Sequence, residues 1–255
     1  MKNGGLFLII FFYFIFSCTP SYESGRVAIV GAMPEEIKAI SNKMENIDTL
    51  LIHNIAFIQG LINHKKVVIL KCGVGKVNAA MTTTLLIDHF HPEYILFTGI
   101  AGAIDEKLVP GDIVIGTQYI QHDLGTLQDG NLNVWAAPNV VTEKDHPLFI
   151  KACPILEKKA RGQFSTTENC YFGTIATGDQ FIADNNKKKL LSQAYNAYAV
   201  DMESAAIAQV CLQFNTPFII FRSISDSANE NAEETYYFNK QKSADRTVDM
   251  LTKLL

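Results

Sequence analysis

Residues 198–226 read YAVDMESAAIAQVCLQFNTPFIIFRSISD, and this stretch decides the fold. It opens with the apolar pair Ala199-Val200 and then sets the acids Asp201 and Glu203 on either side of Met202. Apolar residues at Ala205, Ala208, Val210, Leu212 and Phe214 recur mostly at helical spacing, which predicts a buried helix over 204–214. Asn215-Thr216-Pro217 ends it, because proline lacks an amide proton and disfavours helix in the residue before it. The continuous apolar run 218–221 then reads as a strand covered on both faces. Arg222, Ser223, Ser225 and Asp226 crowd at its end, where α/β sheets expose their working edge. Glu203 at a helix start and Asp226 just past a strand end can therefore face one cleft.

Toward the N-terminus, 26–30 (RVAIV) is a buried-type strand that runs through Gly31-Ala32-Met33 into Pro34-Glu35-Glu36. Proline at the first helical position followed by acids is a strong helix start, which accounts for Glu36 without any chemistry. Residues 53–60 and 65–71 read as two strands joined by a turn at 61–64. A Cys72-Gly73-Val74-Gly75-Lys76 bend then leads to a helix over 77–90. That bend lacks the glycine spacing of a Walker loop and the Ser or Thr after its lysine. The strand 94–98 ends in a second glycine loop, 99–103, and Pro110-Gly111-Asp112 turns into a strand at 113–116. From 118 to 142 the pattern dissolves into a polar loop with the only tryptophan, Trp135. Its His122-Asp123 pair reads as a hydrogen-bonded bystander. A helix over 147–161, a strand over 171–177 and a loop over 178–182 follow. There Phe181 suits a stacking platform for a base or a hydrophobic plug equally. The last helix is expected over 237–254.

The mature chain, roughly 230 residues, suits one large α/β domain. With 22 basic against 26 acidic residues the net charge is −4, and no long basic stripe offers nucleic acid a footing. Lys187, Lys188 and Lys189 read as a solvated helix face. The five cysteines, Cys18, Cys72, Cys153, Cys170 and Cys211, have no metal-ligand spacing, so no metal and no cofactor are expected. Lys2 and the apolar run 6–16 have the make-up of a secretory signal. Ile15-Phe16-Ser17-Cys18 is similar to a relaxed bacterial lipobox, which would make Cys18 a lipidated first residue and attach an exported protein to a membrane; an uncleaved membrane anchor, an ordinary cleaved signal and a mis-called start on a cytoplasmic protein are the other readings. The division expected is a leader at 1–18, a tether at 19–25 and one domain over 26–255.

VAIVGAMPEE, CGVGKVNAA, FTGIAGAI with the following PGDIV, ATGDQFI, VDMESAAIAQVC and FRSISD occur in this order along 26–255. In these the chain resembles bacterial 5′-methylthioadenosine/S-adenosylhomocysteine nucleosidases of the nucleoside phosphorylase superfamily. The resemblance implies a three-layer α/β/α fold with a central mixed β-sheet, a homodimer, an adenosine thioether substrate and hydrolysis that releases adenine. It assigns Asp226 as the acid at adenine N7, Glu36 as the group that orients water, and Glu203 as the binder of the ribose 2′-hydroxyl. Met202 packs on the sugar, Phe181 stacks on the base, the Ile182 backbone reads its edge, and Ser225 holds Asp226. Arg222 lies near the water, and Met33, Ala101, Gly102 and Tyr236 complete the expected pocket, Tyr236 as an aromatic lid. The family has a serine where this chain has Ile100. Two other readings are a phosphorylase and a binding module for anionic polysaccharide through Lys158, Lys159, Arg161 and Lys187 to Lys189. Glu35 and Glu36 beside the first strand argue against phosphate as the nucleophile, and a binding module has no need of three acids.

Overall fold

The computed structural model describes residues 25–255. The leader, the tether residues 19–24 and Cys18 lie outside the described residues. The core is a mixed sheet. Its strands are β1 (Val27–Gly31), β2 (Glu45–Ile52), β3 (Ile55–Ile62), β4 (Lys65–Lys71), β5 (Tyr94–Ala103) and β6 (Ile113–Gln121). The rest are a two-residue β9 (Ile150–Lys151), β10 (Cys170–Thr177), β11 (Ala197–Asp201) and β12 (Phe218–Asp226). They run in the order β11-β10-β6-β12-β5-β1-β4-β3-β2, with β9 beside β6. A separate hairpin joins β7 (Gly125–Gln128) to β8 (Asn131–Val134). The sheet also closes on itself: the end of β5 pairs antiparallel with β11, Ala103 opposite Ala199 and Gly102 opposite Val200. Five strands, β5, β12, β6, β10 and β11, thus form a ring.

Helices cover the sheet. They are α1 (Pro34–Ser41), α2 (Lys76–Phe90), α3 (Pro154–Phe164), α4 (Asn185–Tyr195), α5 (Ser204–Gln213) and α6 (Ala232–Leu251). A 3-10 turn, Thr252–Leu254, follows α6. The central strands are buried on both faces, as their unbroken apolar runs require, and every residue of β1, β5 and β12 is buried. Alanine at 205, 206 and 208 lets α5 lie close to the sheet and to α2, and all three are buried.

Several sequence expectations are corrected. The loop expected at 99–103 is strand: β5 continues to Ala103, and its glycines make room rather than a turn. The strand placed at 53–60 is β3, and a strand before it, β2, was not foreseen. His53 and Asn54 both have positive φ and close the β2–β3 hairpin. Asn63 and His64 do the same between β3 and β4, so the turn is two residues, not 61–64. The 118–142 loop holds the rest of β6 and the β7–β8 hairpin, whose turn is Asp129-Gly130. The helix expected over 147–161 starts at Pro154 after β9, and the last helix starts at Ala232 rather than 237.

Candidate active site

The elements converge on one cavity of about 430 Å³. Its lining includes Met33 and Glu36 from the start of α1, and Ile100, Ala101 and Gly102 from the end of β5. Phe181 and Ile182 come from the loop after β10, Met202 and Glu203 from the β11–α5 junction, Arg222, Ser225 and Asp226 from β12, and Tyr236 from α6. Every site residue expected within 26–255 lines this one space. Asp226 is the last residue of its strand rather than beyond it.

Glu36 is buried at the third position of α1. Its Oε2 accepts from the Ala32 and Met33 amides at 2.5 and 3.0 Å, which caps the helix, while Oε1 is buried with no partner among the described residues. One carboxylate thus performs the structural task read from the sequence and, at the cavity wall, keeps one oxygen unpaired among the described residues. Burial pushes it up to about 7, against the opposing pull of Arg222.

Arg222 is fully buried and lies across Gly99. Its Nε donates to Asp201 at 2.7 Å, one Nη reaches Glu203 at 3.4 Å, and its guanidinium carbon lies over the Phe97 ring, 3.9 Å from the centroid. Asp201, noted in the sequence beside Glu203 but given no role there, also accepts from the hydroxyls of Thr177 and Ser204. Glu203 accepts from the Gly75 amide at 3.0 Å, so the glycine bend before α2 serves the site through its backbone. Burial also raises Glu203. Asp226 accepts from Ser225 Oγ at 2.8 Å and from the Ala228 amide at 2.9 Å, and burial raises it above the usual carboxylate range.

The remaining motifs fall elsewhere. His122 is buried outside the cavity and burial pushes it down to about 4, so it is neutral at pH 7. Asp123 bonds Lys76 Nζ at 2.6 Å and the Asp179 amide at 2.8 Å, tying two cavity-bearing loops together. Glu35 does not line the cavity, which corrects its expected part in repelling phosphate; it pairs with Lys240 at 2.9 Å. Of the six surface cations, Lys159 bonds the Leu254 carbonyl, Arg161 pairs with Glu157, and Lys188 bonds the Ser227 carbonyl.

The sheet and its helices thus carry acids and an aromatic side chain to one half-open pocket. The profile of the phosphorylase superfamily matches residues 26–255, and the chain belongs to that superfamily. Within it, the chain is 36% identical over 233 residues to the 5′-methylthioadenosine/S-adenosylhomocysteine nucleosidase of Bacillus licheniformis, covering 90% of this chain and 98% of that protein. The Helicobacter pylori nucleosidase of the same name superposes with a TM-score of 0.82 at 30% identity, covering 90% and 97% of the two chains. Futalosine hydrolase from the same organism gives a TM-score of 0.79 at 29% identity, with the same coverage. The chain is a member of the 5′-methylthioadenosine/S-adenosylhomocysteine nucleosidase family.

Proposed function

We propose that the protein hydrolyses the N-glycosidic bond of 5′-methylthioadenosine and S-adenosylhomocysteine, releasing adenine and the 5-thioribose product. One observation carries this reading: Glu36, Glu203 and Asp226, from three distant segments, line a single cavity together with Phe181. Asp226 donates a proton to adenine N7 as the bond from N9 to C1′ breaks and its electron pair passes to the base. Water adds to C1′ through an oxocarbenium-like state and gives its proton to Glu36. Glu203 binds the ribose 2′-hydroxyl, Met202 packs on the sugar, Phe181 stacks on adenine and the Ile182 backbone reads its edge. Arg222 flanks the water, and Ser225 holds Asp226. Ile100 presents no hydroxyl there, so Glu36 and Arg222 carry the placement of water alone.

Phosphate is a poor substitute for water. A dianion needs charged donors, and the only cation in the lining among the described residues, Arg222, is already bonded to Asp201 and Glu203. Adenine release from both nucleosides in phosphate-free buffer tests the proposal; release that requires phosphate, or none from either, overturns it. Because Glu36 must be ionised, kcat/KM falls as pH drops below about 7. Glu36→Gln removes this limb and most of the turnover. It also changes stability. A folded-state pKa of about 7 against 4.5 means the folded form holds the proton more tightly. Stability therefore declines as pH rises from about 4.5 through 7, by up to about 3 kcal/mol. Relative to wild type, Glu36→Gln is expected to gain melting temperature at pH 8 and to lose that gain by pH 5.

The homodimer is supported by exposed apolar side chains, Val77, Val140 and Phe214, that line a second cavity of about 580 Å³. A second copy of the chain is the proposed cover. The leader reading supports export and lipidation at Cys18. Detergent partitioning that persists in Cys18→Ala would sink the lipid anchor.

A further inference from the structure

Two motifs to which the nucleosidase reading gives no role, the His122-Asp123 pair and Lys76, meet beside the cavity without lining it. Asp123 Oδ1 accepts from Lys76 Nζ at 2.6 Å, and its Oδ2 accepts from the Asp179 amide at 2.8 Å. Lys76 closes the ring, its own amide donating to Asp179 Oδ1 at 2.7 Å. Its ammonium also donates to Gln121 Oε1 at 3.1 Å. The Lys76 and Asp123 side chains are only 18% and 17% exposed, so salt screens their pairing weakly. Burial raises Asp123, but the bonds from Lys76 and the Asp179 amide outweigh it and hold the carboxyl below its ordinary range.

This ring stands next to both groups that hold the nucleoside. Gly75 donates its amide to Glu203 Oε1 at 3.0 Å, while Arg222 reaches the other oxygen at 3.4 Å. With φ at +93°, a value open mainly to glycine, Gly75 turns the bend so that consecutive amides serve two acids, its own reaching Glu203 and that of Lys76 reaching Asp179. Asp179 in turn stands two positions before Phe181. His122 packs under the same loop: a Cβ added at Gly178 would lie 2.5 Å from its Nε2. A shift at residues 75–76 therefore moves the sugar's carboxylate and the base's platform together. Asp123, Asp179 and Glu203 converge on this bend, and the Lys76 ammonium offsets their mutual repulsion.

We propose that Asp123 is a positioning residue: paired with Lys76, it fixes the Gly75-Lys76 bend and through it both Glu203 and the loop that carries Phe181. The inference rests on the nucleosidase reading above. Asp123 touches no substrate; it acts by keeping two distant binding groups in register.

The test reads kcat/KM for 5′-methylthioadenosine and the Kd of two uncleavable probes, 9-deaza-5′-methylthioadenosine, whose base and sugar are joined through carbon, and its 2′-deoxy form. Asp123→Asn keeps the side chain's size and an acceptor for the Asp179 amide but breaks the ion pair. It is expected to lower kcat/KM about tenfold, as small misplacements of binding groups do. It weakens the ribose probe by a larger factor than the 2′-deoxy probe, which offers Glu203 no hydroxyl to grip. Lys76→Met loses as much, Lys76→Arg keeps most of the activity, and Asp123→Asn adds little to Lys76→Met, because the two residues act as one unit. Thermal melts establish that each variant is folded; if Asp123→Asn is not, Lys76→Met against Lys76→Arg carries the same comparison. Wild-type kcat/KM, or equal weakening of both probes, in a folded variant overturns the role of Asp123 and leaves the nucleosidase reading standing. Wild-type protein that releases no adenine overturns both.

Discussion

Asp226→Asn is expected to fold, melt near the wild-type temperature and release adenine at least a hundredfold more slowly. The asparagine amide has the size of the carboxylate. Its oxygen can still accept from the Ala228 amide, which donates to Asp226 at 2.9 Å. What it cannot do is deliver a proton to a leaving purine, and loss of a positioned general acid costs about 10²–10⁴ in rate. Burial already holds Asp226 above its ordinary range, so it retains a proton further toward neutral pH than an exposed aspartate does. Turnover of both thioether nucleosides and a thermal melt check the expectation together. A folded variant with more than a tenth of wild-type activity would remove Asp226 from the role of acid.

Gly99→Ala, a change of one methyl group away from every expected substrate contact, is expected to destroy both activity and much of the stability. The new Cβ would lie 1.7 Å from an Arg222 Nη and 3.2 Å from Glu36 Oε1. No backbone adjustment is cheap there, because β5 is buried along its whole length between β1 and β12. The guanidinium must leave its place against Phe97, and the ion pairs to Asp201 and Glu203 open inside the protein. Breaking a buried pair costs about 3–5 kcal/mol. Gly162→Ala is the control: an added Cβ meets nothing within 4 Å there, in the last turn of α3, and alanine favours a helix by up to about 1 kcal/mol over glycine. Chemical denaturation of the two variants separates them. A Gly99→Ala protein as stable as Gly162→Ala would show that Arg222 is not wedged.

The sequence was most legible where burial wrote it. The apolar runs of β1, β4 and β12 and the alanine-rich α5 follow directly from hydrophobic patterning, and the acids at their ends pointed to one cleft. It was least legible where glycine has two meanings. In Gly99-Ile100-Ala101-Gly102 the residue type suggests a turn, but the chain is extended and uses the missing Cβ atoms to admit Arg222 and Asp226. The β2 strand escaped because nearly every residue in it is exposed, so no alternation of apolar and polar residues marks it. Its hairpin turn, His53-Asn54, is a weaker signal than an Asn-Gly pair. The β7–β8 turn did carry such a signal in Asp129-Gly130. Asp201 was visible beside Glu203, but nothing local shows that it neutralises an arginine 21 positions later.

The strand ring sets a timetable. Glu36 is in place early in the chain, yet the circle through β11 and β12 cannot shut until residues near 199 reach back to 103 and those near 226 reach 102. Such distant contacts form late, because the entropy of closing long loops must be met before they reward it. No shortened chain lacking β12 can hold a half-built catalytic centre. A nascent chain therefore stays inert toward nucleosides until its last strand docks, and activity itself reports completed folding.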